Sequence, residues 1–476
     1  MGFLMYDIIF LVIFTAFVVW FLYTRRKNLE REGILFLYRT KFGIKAIKWF
    51  SNKFKKQLKW IQYISIAIGY ILMVFMVYLF VQLVYIYIKN PDIVKAVKVP
   101  PVMPLIPYLP SLFNLDFLPN FYFTHWILIL AVVAIFHEFA HGIFANFHKI
   151  KIKSTGFGFL GPFLAAFVEP DEKLMVKKPI KAQLSVLSAG TFANVIISVI
   201  FAIVFLLFVI TMYVPAGATF DIYVYSTVNL SQASSINGIN VNHPNPETIL
   251  KNLDITNSKN LTKIEINNKS YFIDNNKFIK NINQVKEIVI VYDNLPAIAS
   301  GMPINSVITG VNDVKITSTE DLANEIKKYN PGESAIIWIK TPDNQIKNFN
   351  ITFADNGRGY PYLGIGLYQT STNGIRGKVY LILNLVRTPG TYYESRFNSD
   401  FIKFIYDLLW WMILINISVA LINMLPLGIF DGGRVFYLTI LTFTKSEIKA
   451  KIAFKLVTWI LLILLALMMV FWVWSL

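Results

Sequence analysis

The sequence predicts a polytopic α-helical membrane protein with about six transmembrane helices and one inserted extracytoplasmic β-rich domain. The 476 residues are 55% hydrophobic, and several apolar runs reach the roughly 20 residues that a helix needs to cross a membrane. Basic residues are concentrated in alternate connectors between these runs. One long block, 216–400, is instead polar and contains short alternating runs separated by turn residues, as strands do.

The apolar runs give the order of the spans. The first run lacks the basic flank and the cleavage site of a signal peptide, so we expect a retained helix. The fifth run is interrupted by Pro426 and Gly428 and then continues to Phe443. The predicted spans are 6–24, 61–88, 121–147, 183–213, 401–425 and 452–474.

The charge distribution predicts the topology. Connectors 25–59, 148–182 and 444–455 carry 12, 7 and 4 basic residues against 2, 3 and 1 acids, which accounts for the whole net charge of +17. Basic residues confined to alternate connectors follow the positive-inside rule. We therefore expect a multi-pass cell-membrane protein in contact with the lipid bilayer, with both termini and region 214–400 extracytoplasmic. No nucleic-acid-binding motif is present, so we expect no nucleic-acid partner.

The residue patterns of three further segments predict local structures outside the spans. Residues 25–59 fit either an amphipathic helix on anionic headgroups or a solvated loop. Residues 154–168 alternate small and large apolar side chains between glycines, which predicts a β-hairpin or a re-entrant loop dipping into the membrane. Within the polar block, 236–253 and 311–329 share a strand–turn–strand–helix pattern, which is compatible with a diverged internal repeat.

The third predicted span contains His137, Glu138 and His141 in the order H-E-F-A-H. Histidines at i and i+4 share one helix face and can bind one ion together, while the glutamate can reach a water on that ion. Ionisable groups are costly in hydrocarbon, so three of them within five residues indicate a function. Because the chain has no cysteine, any zinc must be held by histidine and carboxylate ligands.

A catalytic zinc ion usually has three protein ligands and an open fourth position. His148 is a poor third ligand because it lies eleven residues after His137, about 16 Å along a helix axis. Asp431 is the better candidate, since it stands in the broken fifth span and is followed by two glycines that allow close backbone approach. A helix N-cap is the alternative role for Asp431, and it is compatible with ligation.

The HEFAH motif together with Asn423-x-x-Pro426-x-x-x-x-Asp431-Gly432 resembles the site-2 protease family of intramembrane zinc metalloproteases. The small-residue segment 188–194 is also similar to that family, although a threonine stands where proline is common. The resemblance implies one zinc ion and a catalytic core formed by 121–213 and 401–476. Since His141 lies about eight residues before Lys149, roughly 12 Å along a helix axis, we expect the active site in the bilayer nearer the cytoplasmic side. The resemblance also implies hydrolysis of a peptide bond within or near a transmembrane helix of a membrane protein substrate, as in regulated intramembrane proteolysis.

The resemblance assigns roles to individual residues. His137, His141 and Asp431 would bind zinc, and Glu138 would act as general base and proton shuttle. Asn423 would stabilise the oxyanion or hold substrate. Asn194 would position substrate or form an interhelical hydrogen bond.

Residues 294–370 resemble a PDZ domain of the protease type, with Tyr362-Leu363-Gly364-Ile365 as the peptide-binding loop. This implies that Leu363 and Gly364 help to position a substrate, and a passive spacer is the alternative. The expected division is 1–120 with two helices, a basic connector and a proline-rich outer segment, then 121–213, then 214–400, then 401–476.

Two other classes compete with this interpretation. Other membrane zincins, such as prenyl-protein endopeptidases, would take a glutamate from another helix as third ligand. A transporter or scaffold could bind a cation at a broken helix without performing hydrolysis. The intact Glu138 favours an enzyme, because a purely structural ion site does not need that acid.

Overall fold

The computed structural model describes residues 3–33, 35–91, 94, 100–113, 115, 118–160, 163–254, 260–282, 288–366, 387–397 and 399–475. The chain forms two compact units: Met1–Phe208 together with Asn398–Leu476, and Val209–Phe397. Parts of the predicted proline-rich segment, and residues 367–370 of the predicted PDZ-like region, lie outside the described residues. The expected division into four regions remains a prediction.

Fourteen helices are found among the described residues. They are α1 (Phe3–Thr24), α2 (Ile44–Lys53), α3 (Lys55–Lys89), α4 (Leu109–Leu112), α5 (Phe123–Phe147), α6 (Glu172–Val176), α7 (Ile180–Met212), α8 (Pro246–Lys251), α9 (Asn275–Asn281), α10 (Pro296–Ala299), α11 (Thr319–Ile326), α12 (Ser399–Asn423), α13 (Asp431–Thr444) and α14 (Glu447–Ser475). Six of them, α1, α3, α5, α7, α12 and α14, are long and apolar enough to cross a membrane. The predicted set of six spans is therefore confirmed.

A four-stranded antiparallel sheet lies in the first unit, in the order β1-β2-β3-β4. Its strands are β1 (Leu29–Glu32), β2 (Leu35–Thr40), β3 (Ile152–Leu160) and β4 (Phe163–Pro170). The β3–β4 pair is the hairpin that was one of two alternatives for 154–168. For 25–59, both expected structures were incomplete, because 29–32 and 35–40 form strands while α2 and the first turn of α3 are helical. Strand β2 pairs with β3, with Phe36 opposite Phe159, and this distant partner is invisible in the local sequence.

Helix α5 is anchored at both ends by segments from the start of the chain. At its N-terminus, Asp7 of α1 accepts hydrogen bonds from the backbone N–H groups of Phe123 (2.7 Å) and Thr124 (2.9 Å). A carboxylate there satisfies free N–H groups and complements the helix dipole. Near its C-terminus, α2 packs across α5 through the fully buried Ile47. These contacts fix the position of the helix that carries the HEFAH motif.

The second unit contains two six-stranded sheets. One has the order β7-β12-β11-β10-β8-β9, and the other has β16-β15-β13-β5-β20 with β14 paired to β13. The first eight strands are β5 (Tyr213–Phe220), β6 (Ile222–Tyr223), β7 (Tyr225–Asn229), β8 (Ala233–Ile236), β9 (Ile239–Asn240), β10 (Leu261–Ile266), β11 (Lys269–Asp274) and β12 (Ile288–Asp293). The remaining strands are β13 (Ser306–Val311), β14 (Val314–Lys315), β15 (Ser334–Lys340), β16 (Ile346–Thr352), β17 (Ala354–Asp355), β18 (Pro361–Tyr362), β19 (Ile365–Gly366) and β20 (Thr391–Ser395).

The two sheets of this unit share one succession of elements. A short hairpin, a helix and a longer hairpin follow one another as β8–β9, α8, β10–β11 and again as β13–β14, α11, β15–β16. The pairing also agrees, because β10 lies between β8 and β11 just as β15 lies between β13 and β16. Each sheet has its own apolar core. This topology supports the hypothesis of a diverged internal repeat.

Candidate metal centre

The structure brings His137, His141 and Asp431 together from two helices that are far apart in the sequence. The Nε2 atoms of the two histidines are 3.1 Å apart. Asp431 Oδ2 lies 3.3 Å from His141 Nε2 and 3.6 Å from His137 Nε2. The sequence prediction paired these residues, and they form a group able to hold a metal ion among the described residues.

The three separations fit a zinc ion. A tetrahedral zinc with ligands at about 2.0–2.1 Å has ligand–ligand edges of about 3.3–3.4 Å. The observed values of 3.1, 3.3 and 3.6 Å bracket that edge. Two imidazoles and one carboxylate are also a donor set used by catalytic zinc sites, which keep a further position open.

The far side of each imidazole is held by α7. His141 Nδ1 lies 2.7 Å from the Val186 carbonyl oxygen, which accepts its hydrogen bond. His137 Nδ1 lies 3.1 Å from the side-chain amide of Asn194, which is fully buried. A histidine that binds metal through Nε2 carries its proton on Nδ1, so the amide oxygen must face it. With the amide oxygen of Asn194 toward His137, this buried oxygen also gains a hydrogen bond, whereas it otherwise has no partner among the described residues.

Gly190 of α7 lies directly against the metal-binding nitrogens. A Cβ atom built there would be 2.6 Å from His137 Nε2 and closer still to His141 Nε2. Any side chain at this position would therefore push into the space between the ligands. The small-residue segment 188–194, which is similar to the protease family, includes this contact.

The turn between α12 and α13 brings Asp431 to the histidines. Asp431 is the first residue of α13, and the backbone of Gly432 folds against the Met424 carbonyl group at the end of α12. A Cβ atom on Gly432 would clash with that backbone, so the close approach requires glycine. This agrees with the sequence-based reason for expecting glycines after the acid.

Glu138 is fixed by the four-stranded sheet. Its Oε2 atom accepts a hydrogen bond of 2.9 Å from the backbone N–H of Val168 in β4. Among the described residues, its Oε1 atom accepts no hydrogen bond. One oxygen is thus anchored and the other is available, one residue after His137.

The other sequence candidates of this unit lie as follows. Asn423 is the half-buried last residue of α12, and its role remains a prediction. His148 follows the end of α5 and lies 2.7 Å from Ser185 Oγ, and it is not part of the metal-binding group. Burial, and then the charges of Lys178 and Lys181, lower the pKa of His148 to about 4. The absence of His148 from the metal-binding group fits the sequence-based rejection of this residue as a ligand.

In the second unit, Leu363 lines a groove of about 670 Å³, whereas its neighbour Gly364 is not one of the lining residues. The groove runs between α11 and the segment 356–365, and its walls are mostly apolar. Leu363 is buried, and its carbonyl oxygen accepts a hydrogen bond from Ala297 N–H at 2.9 Å. Gly364 has a φ of +76°, and a Cβ atom on it would clash with Leu295. The loop is thus held in a conformation that only glycine adopts easily.

Three contributors to the metal centre were missed by the sequence analysis. The Val186 carbonyl and the Val168 N–H are backbone groups, so no side-chain motif marks them. The third is Gly190, whose signal was the run of small residues between 188 and 194.

Six helices able to cross a membrane, together with a His-His-Asp group and a glutamate next to one of its histidines, are the features expected of the class of membrane metalloproteases. The chain matches Peptidase family M50 over residues 125–339 and 380–468, which is more than half of its length. It belongs to this family, and the resemblance to site-2 zinc metalloproteases is confirmed.

Three relatives share part of the chain. Zinc metalloprotease RasP of Shouchella clausii is 29% identical over 179 residues, covering 32% of this chain and 42% of that protein. Uncharacterized protein MJ0971 of Methanocaldococcus jannaschii is 34% identical over 192 residues, covering 39% and 48%. Putative zinc metalloprotease CPE1693 of Clostridium perfringens is 27% identical over 157 residues, covering 33% and 44%. The chain thus matches less than half the length of each relative.

Proposed function

We propose that this protein is an intramembrane zinc metalloendopeptidase that cleaves a peptide bond within or near a transmembrane helix of a membrane protein. The observation that carries the proposal is the convergence of His137, His141 and Asp431 beside Glu138. The family match and the names of two relatives, which are zinc metalloproteases, support it. Regulated intramembrane proteolysis is the process in which such a cleavage would act.

The roles of the side chains follow from their chemistry. When bound, zinc would supply Lewis acidity for the peptide carbonyl and acidify water. Glu138 accepts the proton of the attacking water and returns it to the leaving amine. Its bond to Val168 N–H keeps this carboxylate in place for both transfers. Asn423 stabilises the developing oxyanion or holds the substrate.

Strand β4 presents the substrate in this proposal. A peptide bond in a helix is shielded by its own hydrogen bonds, so the substrate must become extended before cleavage. Strand β4 ends the four-stranded sheet, and its Val168 contacts Glu138. An extended segment that adds to β4 would therefore lie next to the general base. Replacing 154–168 with a polar loop should abolish cleavage, and unchanged cleavage would refute this step.

The groove of the second unit acts as a docking site for an extended peptide segment of the substrate in this proposal. Its apolar walls suit a hydrophobic side chain; Leu363 is one of the lining residues, and Gly364 fixes the conformation of the same loop. The succession of strands and α11 fits the PDZ-like resemblance.

The topology is also part of the proposal. Both termini and region 214–400 are extracytoplasmic, and the metal centre is nearer the cytoplasmic side. Because the chain has no cysteine, single cysteines at exposed positions such as Lys45 and Lys315 can be labelled without background. In intact cells an impermeant maleimide should label the Lys315→Cys variant and not the Lys45→Cys variant. The reverse pattern would overturn this topology.

The decisive experiment measures metal content and turnover together. We expect one zinc ion per purified chain, cleavage of a membrane-spanning peptide, and loss of cleavage after chelation that zinc restores. The Glu138→Gln variant should keep the zinc and lose the cleavage. Bound zinc without cleavage by any form of the protein would instead favour a scaffold or transporter.

A further inference from the structure

The segment 41–60, which we call the basic surface, exposes an unbalanced positive charge. All seven of its lysines are exposed, and no acidic residue occurs anywhere between 33 and 60. None of these lysines forms an ion pair with a carboxylate among the described residues. The surface therefore lacks an internal counter-charge and suits an anionic partner.

Large aromatic side chains lie among these lysines. Phe42 is 84% exposed, Trp60 is 73% exposed, and Trp49 is also largely open. Lys53 Nζ lies 4.4 Å from the centre of the Trp49 ring. Tryptophan and lysine side by side on an exposed face are typical of segments that lie at the membrane–water interface.

The position of the basic surface in the fold indicates which kind of anionic partner it binds. Helix α2 is separated by Phe54 alone from α3, which is one of the helices able to span a membrane. The lysines of 53–59 therefore flank the start of a predicted span, at the depth of lipid headgroups. A lipid headgroup with a negative phosphate meets both the lysines and the aromatic rings, whereas a soluble anion meets only the lysines.

The opposite face of α2 packs against α5, the helix that carries His137 and His141. Ile47 is fully buried, and a Cβ atom on Gly142 would lie 2.8 Å from Ile47 Cδ1. Gly142 follows the ligand His141, and the same Cβ atom would lie 3.2 Å from Val168 Cγ1. Ile47 thus packs where the zinc-binding helix meets the strand that anchors Glu138.

We infer that the basic surface binds anionic lipid headgroups, and that this contact holds α2 against α5 and supports turnover. The inference rests on the proposed proteolytic function for its second half only, because lipid binding can be measured without catalysis. Anionic lipid attracts the lysine face of α2 to the membrane surface. The packing of Ile47 beside Gly142 and Val168 then limits the movement of α5 relative to β4.

Lipid contact is tested by fluorescence quenching in vesicles. The protein is reconstituted in an equimolar mixture of phosphatidylcholine and phosphatidylglycerol, and one lipid or the other carries bromine on its acyl chains. The difference between the wild type and Trp49→Phe isolates the signal of one tryptophan among ten. We expect brominated phosphatidylglycerol to quench Trp49 more strongly than brominated phosphatidylcholine does. Equal quenching by the two lipids would overturn the inference.

Two triple variants with equal charge changes locate the contact. The test variant is Lys45→Gln, Lys48→Gln and Lys53→Gln, and the control is Lys251→Gln, Lys269→Gln and Lys315→Gln in the second unit. The test variant should lose the preference for phosphatidylglycerol, and the control should retain it. Loss in both variants, or in neither, would show that net charge or another site is responsible.

The coupling is tested by turnover of a spanning peptide in the same vesicles. We expect the wild type to cleave several-fold faster with phosphatidylglycerol than in phosphatidylcholine alone. The Ile47→Val variant, which removes the methyl group facing Gly142, should keep the lipid preference of Trp49 and lose most of the stimulation. Equal turnover of the wild type in both lipids would overturn the coupling, whereas no turnover in any lipid would be a failure of the proposed function.

Discussion

The proposed role of Glu138 as a general base depends both on its carboxylate and on the position in which that carboxylate is held. It is the only acid in the third span, it follows a metal ligand, and one of its oxygens is hydrogen-bonded to β4. Glu138→Gln keeps the size of the side chain but removes the base, so we expect turnover to fall by about 10²–10⁴-fold. Zinc content measured on the same sample should be unchanged.

The exposed Glu172 provides the matched control for that substitution. It lies in the connector between β4 and α7, and the Glu172→Gln variant makes the same change of charge. We expect its turnover to equal that of the wild type. A comparable loss in both variants would mean that Glu138 has no special role as a base.

Asn194 is better explained by the metal ligand it touches than by the substrate. Its amide is buried against His137 Nδ1, so we expect it to fix the proton and the orientation of that imidazole. Asn194→Ala should weaken zinc binding by about 10–100-fold, measured by competition with a chelator. Asn194→Asp keeps an accepting oxygen and should bind zinc at least as tightly as the wild type. Equal losses in both variants would contradict a positioning role.

At the scale of elements, the four-stranded sheet links segments that the sequence separates by more than a hundred residues. Strand β2 pairs with β3, and Arg39 of β2 contacts both Glu30 and Glu169. The sheet therefore holds β4 in a fixed position beside α5. This explains how the β3–β4 hairpin can keep the Val168 N–H group hydrogen-bonded to the Glu138 carboxylate on α5.

The Val168 N–H can be removed by a single substitution. Val168→Pro eliminates the donor to Glu138, whereas Val168→Ala retains it and serves as the control. Since the carboxylate would lose its anchor, we expect the proline variant to cleave at least tenfold more slowly than the alanine variant, on the order of the loss expected for a misplaced catalytic group. Zinc content should be the same in both. Equal cleavage rates would show that the anchor is unimportant.

At the scale of the whole molecule, the second unit is larger than a connector needs to be. It holds two sheets with separate cores and a groove beside α11. A passive spacer would not need a groove with apolar walls. We therefore expect this unit to influence which substrates are cleaved.

The groove is tested by filling it. Ala323 is exposed and lines the groove, and its neighbour Asn324 is exposed on the same helix outside it. We expect Ala323→Trp to reduce cleavage of a substrate with an extracytoplasmic tail, and Asn324→Trp to have no such effect. Cleavage of a short spanning peptide without a tail should be normal in both variants. If Ala323→Trp cleaves the tailed substrate normally, the groove is not a docking site.

The spans, the HEFAH helix and the likeness to one protease family could all be predicted from the sequence. Apolar length and the i, i+4 spacing are local properties, so they can be read without a fold. The third ligand could be proposed because Asp431 stands in a motif with Asn423 and Pro426.

The groups that surround His137, His141 and Asp431 became evident only from the packing of the folded chain. The Val186 carbonyl, the Val168 N–H and the surface of Gly190 reach the centre because distant helices and a strand pack there. The strands of 29–40 depend in the same way on a partner strand more than a hundred residues later. Backbone groups and sheet partners leave no pattern of their own in a sequence, because any residue can supply them and only packing selects which ones do.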